Sequence, residues 1–191
     1  MTVMNKKLLA IVLLLLLATG IAVSSAPRFL LYADRPVRTD AIVVFEGSDI
    51  LARKKEAYQL RDEGYAGVLL VPASPVVIRS QSTGAQYAGS AAERIYPSYY
   101  ENTHVEVLRA KTMMDAMGLK TATMVSSPYH LKRIRMIAGK VFGRQARLFA
   151  YVPARSVRTP SGMIDMHARD WIFVAQEYVK IIWFFLYSPF A

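Results

Sequence analysis

The sequence predicts an α/β chain with one transmembrane helix followed by a doubly wound, mostly parallel sheet. Three observations predict this. An apolar run from Leu8 to Ala26 follows Lys6-Lys7 at the N-terminus. Beyond it, short β-branched runs alternate with longer stretches of helical periodicity, the pattern of βαβ units. The short runs also lack alternating polar positions, as strands covered on both faces do.

The run from Leu8 to Ala26 has nineteen residues and as a helix would measure roughly 28 Å, close to the thickness of a bilayer core. Lysines ahead of it favour a cytoplasmic N-terminus, which sends the rest of the chain across. The alternative is a cleaved signal peptide with Ser24-Ser25-Ala26 as its cleavage site. Pro27 directly after that site argues against cleavage, and apolar character resumes at Phe29-Leu30-Leu31-Tyr32. Both readings put the folded part outside the cytoplasm. The divisions are residues 1–33 as cytoplasmic tip and anchor, 34–39 as linker with Pro36, and 40–191 as the α/β domain.

Within the domain, Asp40 to Phe45 predicts a first buried strand and Ile50 to Glu63 a helix stopped by Gly64. Val68 to Val71 predicts a second strand and Val76 to Ile78 a short third. Gln81 to Gly89, rich in Ser, Gly, Gln and Thr, predicts a loop. A helix capped by Asn102 or Thr103 runs to about Met117, and Thr121 to Val125 is a strand. Ser127-Pro128 opens another helix, with serine as the cap and proline at the first helical position. Leu148 to Val152 is the last strand, and a final helix runs from about Arg169 to Tyr187. Its expected core face is Trp171, Val174, Ala175, Tyr178, Ile181, Ile182 and Phe185. Gln176, Glu177 and Lys180 argue against its being a second span.

Composition narrows the chemistry. Hydrophobic residues make up 53% and charged residues 20%, which excludes a disordered chain. No cysteine is present, so disulfides, thiolate metal sites and a cysteine nucleophile are excluded. The histidines, His104, His130 and His167, show no paired metal spacing. The net charge of +10 suits an anionic partner. An extracytoplasmic location argues against nucleic acid and leaves a phosphate-bearing small molecule and the acidic headgroups of the membrane itself.

Ligands of open α/β sheets gather beyond the carboxyl ends of strands. The segments after the predicted strands are Glu46-Gly47-Ser48-Asp49, Ala73-Ser74 and Ser126-Ser127-Pro128-Tyr129-His130. At the last of these a capped helix start offers N–H groups and a positive dipole end to an anion. Arg133 is placed one turn on to grip a phosphate, with His130 as donor or acid. The structural alternative is a capped helix with solvated basic residues. Asn102, Thr103 and Glu106 suit a capping box, with His104 in the same turn as a further acid or base. Glu46 and Asp49 suit a base or a divalent metal held with phosphate, or the cap of the next helix. Arg53 either reaches toward an anion or pairs with Asp49. The catalytic candidates are thus His130, His104, Glu46 and Asp49. The ligand-binding candidates are Asn102, Thr103, Ser126, Ser127, Arg133, Arg53 and Ser74.

These pieces resemble the YdcF/SanA/ElyC-like family of bacterial envelope domains. The resemblance spans roughly Asp40 to Tyr187. It rests on Asp40-Ala41-Ile42-Val43-Val44, on Arg53-x-x-x-Ala57-x-x-Leu60, on Asn102-Thr103-His104 with Glu106, and on Val125-Ser126-Ser127-Pro128-Tyr129-His130-x-x-Arg133. It implies a Rossmann-like sheet anchored in the inner membrane. It also implies a role in envelope integrity, peptidoglycan assembly or the handling of lipid-linked sugar carriers, with S-adenosylmethionine binding linked to one branch. The chain departs from the family where a glycine pair is usual after the first strand (here Glu46-Gly47-Ser48) and where a Ser-Gly-Gly-like turn is usual after the second (here Pro72-Ala73-Ser74-Pro75). Three functions follow as expectations: a phosphoryl or pyrophosphoryl hydrolase or transferase, a noncatalytic binding module, or a scaffold of envelope assembly.

Overall fold

A computed structural model describes residues 6–79, 85–87, 95–160 and 165–190. Helix α1 (Lys6–Leu30) is followed by β1 (Ala41–Val44), α2 (Ile50–Asp62), β2 (Val68–Val71), β3 (Val76–Arg79) and β4 (Ala85–Tyr87). Then come α3 (Asn102–Ala116), β5 (Ala122–Ser126), α4 (Leu131–Phe142), β6 (Phe149–Pro153) and α5 (Ala168–Tyr187). The strand predicted at Val76 to Ile78 is β3. Part of the expected Gln81 to Gly89 loop is β4, and the remainder lies outside the described residues.

The sheet order is β4-β3-β2-β1-β5-β6. β1 runs parallel to β2 and β5, and β5 runs parallel to β6. β2, β3 and β4 pair antiparallel in succession. Alternation along β1 divides two cores. Ala41, Val43 and Phe45 face α3, α4 and the end of α5, packing with Val107, Met114, Ile134 and Phe184. Ile42 and Val44 face α2, packing with Ala57 and Leu60. All four β1 residues are fully buried. That two-sided cover is why the strand has no polar position.

α1 spans Leu8–Leu30 as one apolar helix, and that stretch is long enough to cross a bilayer. Its last residues join the domain. Leu30 is fully buried against Val174 and Ile181 of α5, and the Tyr178 hydroxyl donates to the Ala26 carbonyl at 3.0 Å.

Two expectations about helices need correction. The inward face of α5 shares Val174 and Ile181 with the expected one but is rotated from it: Glu177, Phe184 and Tyr187 are buried as well, whereas Ala175, Ile182 and Phe185 are exposed and Trp171 is half-buried. The buried acid sets this rotation, because Glu177 carries a hydrogen-bonded ion pair to α4 that only an inward position allows. The helix caps also differ. α3 has Glu101 at its N-cap and α4 has His130, and neither they nor Asp49 before α2 makes a side-chain cap bond. Thr103, Ser127 and Glu106, expected to cap, bond across the fold instead.

Candidate functional site

Strand order reverses at β1. The connection through α2 leads to β2 on one side, and the later crossover through α3 brings β5 to the other. Such a reversal opens a crevice, because the loops leaving the two central strands turn away from each other. A cleft of 1120 Å³ lies there. The segments after β1, β2, β5 and β6 all reach it, through Glu46 to Asp49, Ala73, Ser127 to His130, and Ser156 to Arg158. α3 adds Asn102, Thr103, Glu106 and Arg109, and α5 adds one of its faces.

Across the gap between β1 and β5, Arg53 is the tie. It is 4% exposed. Its NH1 donates to the carbonyls of Phe45 at 2.9 Å and Glu46 at 2.6 Å. Its Nε and NH2 donate to Ser127 Oγ at 3.0 and 2.9 Å. Ser127 Oγ in turn donates to Asp49 Oδ2 at 2.9 Å. Desolvation lowers the Arg53 pKa, with Asp49 the largest opposing influence. Gly47 lies on the guanidinium so closely that a Cβ there would sit 2.8 Å from both NH1 and NH2. The direct pairing with Asp49 is not formed: the Arg53 donors hold the first strand's end and Ser127, and Asp49 is reached through the serine.

A second network joins α3, α4 and α5. Arg133 is 2% exposed. Its Nε and NH2 donate to the two carboxylate oxygens of Glu177 at 2.7 and 2.9 Å, a bidentate pair. NH1 donates to Thr103 Oγ1 at 2.9 Å and to Glu101 Oε2. Burial works to lower its pKa, but bonding to Glu177 and Glu101 outweighs it and the net direction is upward. A bidentate grip on phosphate would require Arg133 to leave these partners, because four of its donors are engaged. His130 is buried beside it, Nε2 bonded to Thr103 Oγ1 and Nδ1 to Ser126 Oγ, each at 3.1 Å. Burial, with Arg133 and Arg53 nearby, holds its pKa well below the ordinary value and keeps the ring neutral.

Glu46 and Glu106 form the third feature. Glu106 Oε2 accepts the Glu46 backbone N–H at 3.0 Å, and Ser74 Oγ donates to Glu46 Oε1 at 2.9 Å. Desolvation, reinforced by the Glu46 charge, pushes the Glu106 carboxyl up to about 7. Glu106 therefore bridges to β1 in place of the capping box expected within its own helix. Among the described residues no group of three or more His, Cys, Asp or Glu converges to hold a metal ion.

Most residues singled out from sequence meet in this cleft: Glu46, Asp49, Arg53, Asn102, Thr103, Ser127, His130 and Arg133 line it. Ser126 is fully buried beneath it against His130. Ser74 reaches it only through Glu46. His104 is turned away. Its ring stacks on Tyr100 with 4.7 Å between centroids, and Nδ1 bonds the Tyr187 hydroxyl at 3.0 Å. Burial lowers its pKa to about 4. Comparison with family models, curated proteins and solved structures returns no match.

Several site residues escaped the sequence reading. Glu177 is one: it holds Arg133 together with Glu101, and it carried a usable signal. It lies three residues after Val174 and four before Ile181, so an acid there shares their buried side and needs a buried cation. Arg109, Arg169 and Lys180 also line the cleft. Arg109 donates to the Ala73 carbonyl at 3.3 Å while its Nε is buried without a partner. Arg169 lies over the Phe173 ring at 5.5 Å, and Lys180 Nζ is 3.9 Å from Glu177.

Proposed function

We propose that this chain is a membrane-anchored envelope protein of the YdcF/SanA type. Its Rossmann-like, doubly wound domain faces the extracytoplasmic side and binds an anionic, phosphate-bearing ligand as a noncatalytic binding or assembly module. One observation carries the preference for binding over turnover. The polar groups at the cleft floor, Arg53, Ser127, Asp49, His130 and Arg133, are each hydrogen-bonded to other protein groups. Arg109, Arg169 and Lys180 around them retain donors for an incoming anion. Such a cleft sets cationic donors among its carboxylates for an anion, and its described residues present no activated nucleophile. The reversal of strand order at β1 supports the Rossmann-like reading, and the long apolar helix ahead of the domain supports the anchor.

The test uses the full chain in nanodiscs, titrated with farnesyl phosphate and with inorganic pyrophosphate. Saturable binding of either is expected. It should weaken at least about tenfold, roughly 1.4 kcal/mol, when Arg109 and Lys180 are both replaced by alanine. No saturable binding overturns the proposal. A second reading, phosphoryl hydrolysis, is favoured by the Glu106 carboxyl near 7, where a general acid or base works best at neutral pH. Release of phosphate from farnesyl pyrophosphate that Glu106→Gln abolishes would replace the binding reading with that one.

A further inference from the structure

α5 divides its surface sharply. At 100° per residue, Arg169, Asp170, Gln176, Glu177 and Lys180 fall on one arc, and all of them line the cleft. The adjoining exposed arc has no charged residue. It carries Ile172, Val179, Ile182, Trp183 and Leu186, with Phe185 on its flank toward α1, and each is at least 45% exposed. Exposed apolar residues scattered singly need no explanation, but a continuous stripe on one helix calls for a partner.

The root of α1 identifies the partner. Phe29 stacks on Tyr178 at 6.0 Å, and Leu30 packs on Val174 and Ile181. An apolar notch of 520 Å³, lined by Ala22, Val23, Ser25, Ala26, Phe29 and Tyr178, joins the two helices. The surface of α1 that would enter the hydrocarbon is therefore continuous with α5. Cations ring the same junction. Lys132 lies over the Phe29 ring at 4.6 Å and Arg135 over the Tyr32 ring at 4.5 Å, with Arg28 exposed beside them. Aromatic and apolar groups bordered by cations match the interface of an anionic bilayer. The Trp183 indole N–H is held by the Tyr99 carbonyl at 3.0 Å, while the ring is 45% exposed.

We infer that α5 is a second membrane contact, lying in the outer-leaflet interface with its Ile172 to Leu186 stripe in the acyl boundary beside the α1 span. This arrangement rests on reading α1 as a span. It holds the cleft, lined by the other arc of α5, at the height of lipid headgroups. A helix with one polar arc and one Trp- and Leu-bearing apolar arc binds interfaces in this way.

The chain has two tryptophans, so Trp171→Phe leaves Trp183 as sole reporter. The full-length variant is reconstituted into phosphatidylethanolamine–phosphatidylglycerol vesicles with bromine at defined acyl depths. The expected result is loss of most Trp183 emission with bromines near the headgroup and little quenching by aqueous iodide. Adding Ile182→Ser, Phe185→Ser and Leu186→Ser should reverse that pattern, with folding checked by circular dichroism. Iodide quenching without bromolipid quenching, in chains that resist alkaline extraction, overturns the inference. Protection from both quenchers, with cross-linking to a second copy or another protein, overturns it as well. Release of the chain by alkaline extraction defeats the anchor reading itself, and the interfacial contact with it, so the two failures are distinguished.

Discussion

Arg133 is bound by two carboxylates and a hydroxyl at 2% exposure, so its role is decided by its partners rather than by its charge. Removing one member of a buried pair leaves the other without compensation. Arg133→Ala should therefore cost about 3–5 kcal/mol of unfolding free energy, measured from denaturant midpoints. Two buried groups give opposite pH dependences. Glu106 titrates near 7 in the folded chain against an ordinary 4.5, so the folded state holds this proton more tightly and stability falls as pH rises from about 4.5 to about 7. In Glu106→Gln the amide oxygen still accepts the Glu46 N–H. The variant should gain on the parent progressively between pH 5 and pH 8 in urea melts. His104 is lowered to about 4 from 6.5, so its contribution is present above 6.5 and is lost as pH falls toward 4. His104→Gln should flatten the acid side of the same profile.

At the scale of elements, the turn after β1 and the root of α1 are the decisive joints. The φ of +155° at Gly47, with a virtual Cβ 2.8 Å from the Arg53 guanidinium, leaves no room for a side chain while Arg53 keeps its bonds to Phe45, Glu46 and Ser127. Gly47→Ala should cost about 1–3 kcal/mol and weaken ligand binding, because it displaces the tie between the two strand ends. Leu30, the last residue of α1, is fully buried against α5. Leu30→Ala should destabilise the domain by about 2–5 kcal/mol in thermal melts of the full chain in nanodiscs. A hinge with no packing role would show no change.

At the scale of the whole molecule, the α/β alternation was legible because buried strands and amphipathic helices leave different periodicities. Even the short strand at Val76 to Ile78 followed from its β-branched residues. The place of Glu46 to Asp49 and Ser127 to His130 at the cleft followed from the strand-end rule, whereas Asn102 and Thr103 reach it from the start of α3. His104 was illegible for a physical reason: residues one position apart on a helix point about 100° apart, so Thr103 meets His130 while His104 faces Tyr187. The inward face of α5 was misjudged because hydrophobic periodicity ranks a glutamate as outward, whereas Glu177 is carried inward by Arg133.

By itself the sequence determined the apolar helix, the strands that need cover on both faces, and the cluster of polar residues at strand ends, because each depends on local composition and period. Only the tertiary structure decided which of those polar residues bond one another, that His130 and His167 line the cleft while His104 does not, and which side of α5 is left bare. Those outcomes depend on partners distant in the chain, and a buried charge takes its orientation from the partner that neutralises it.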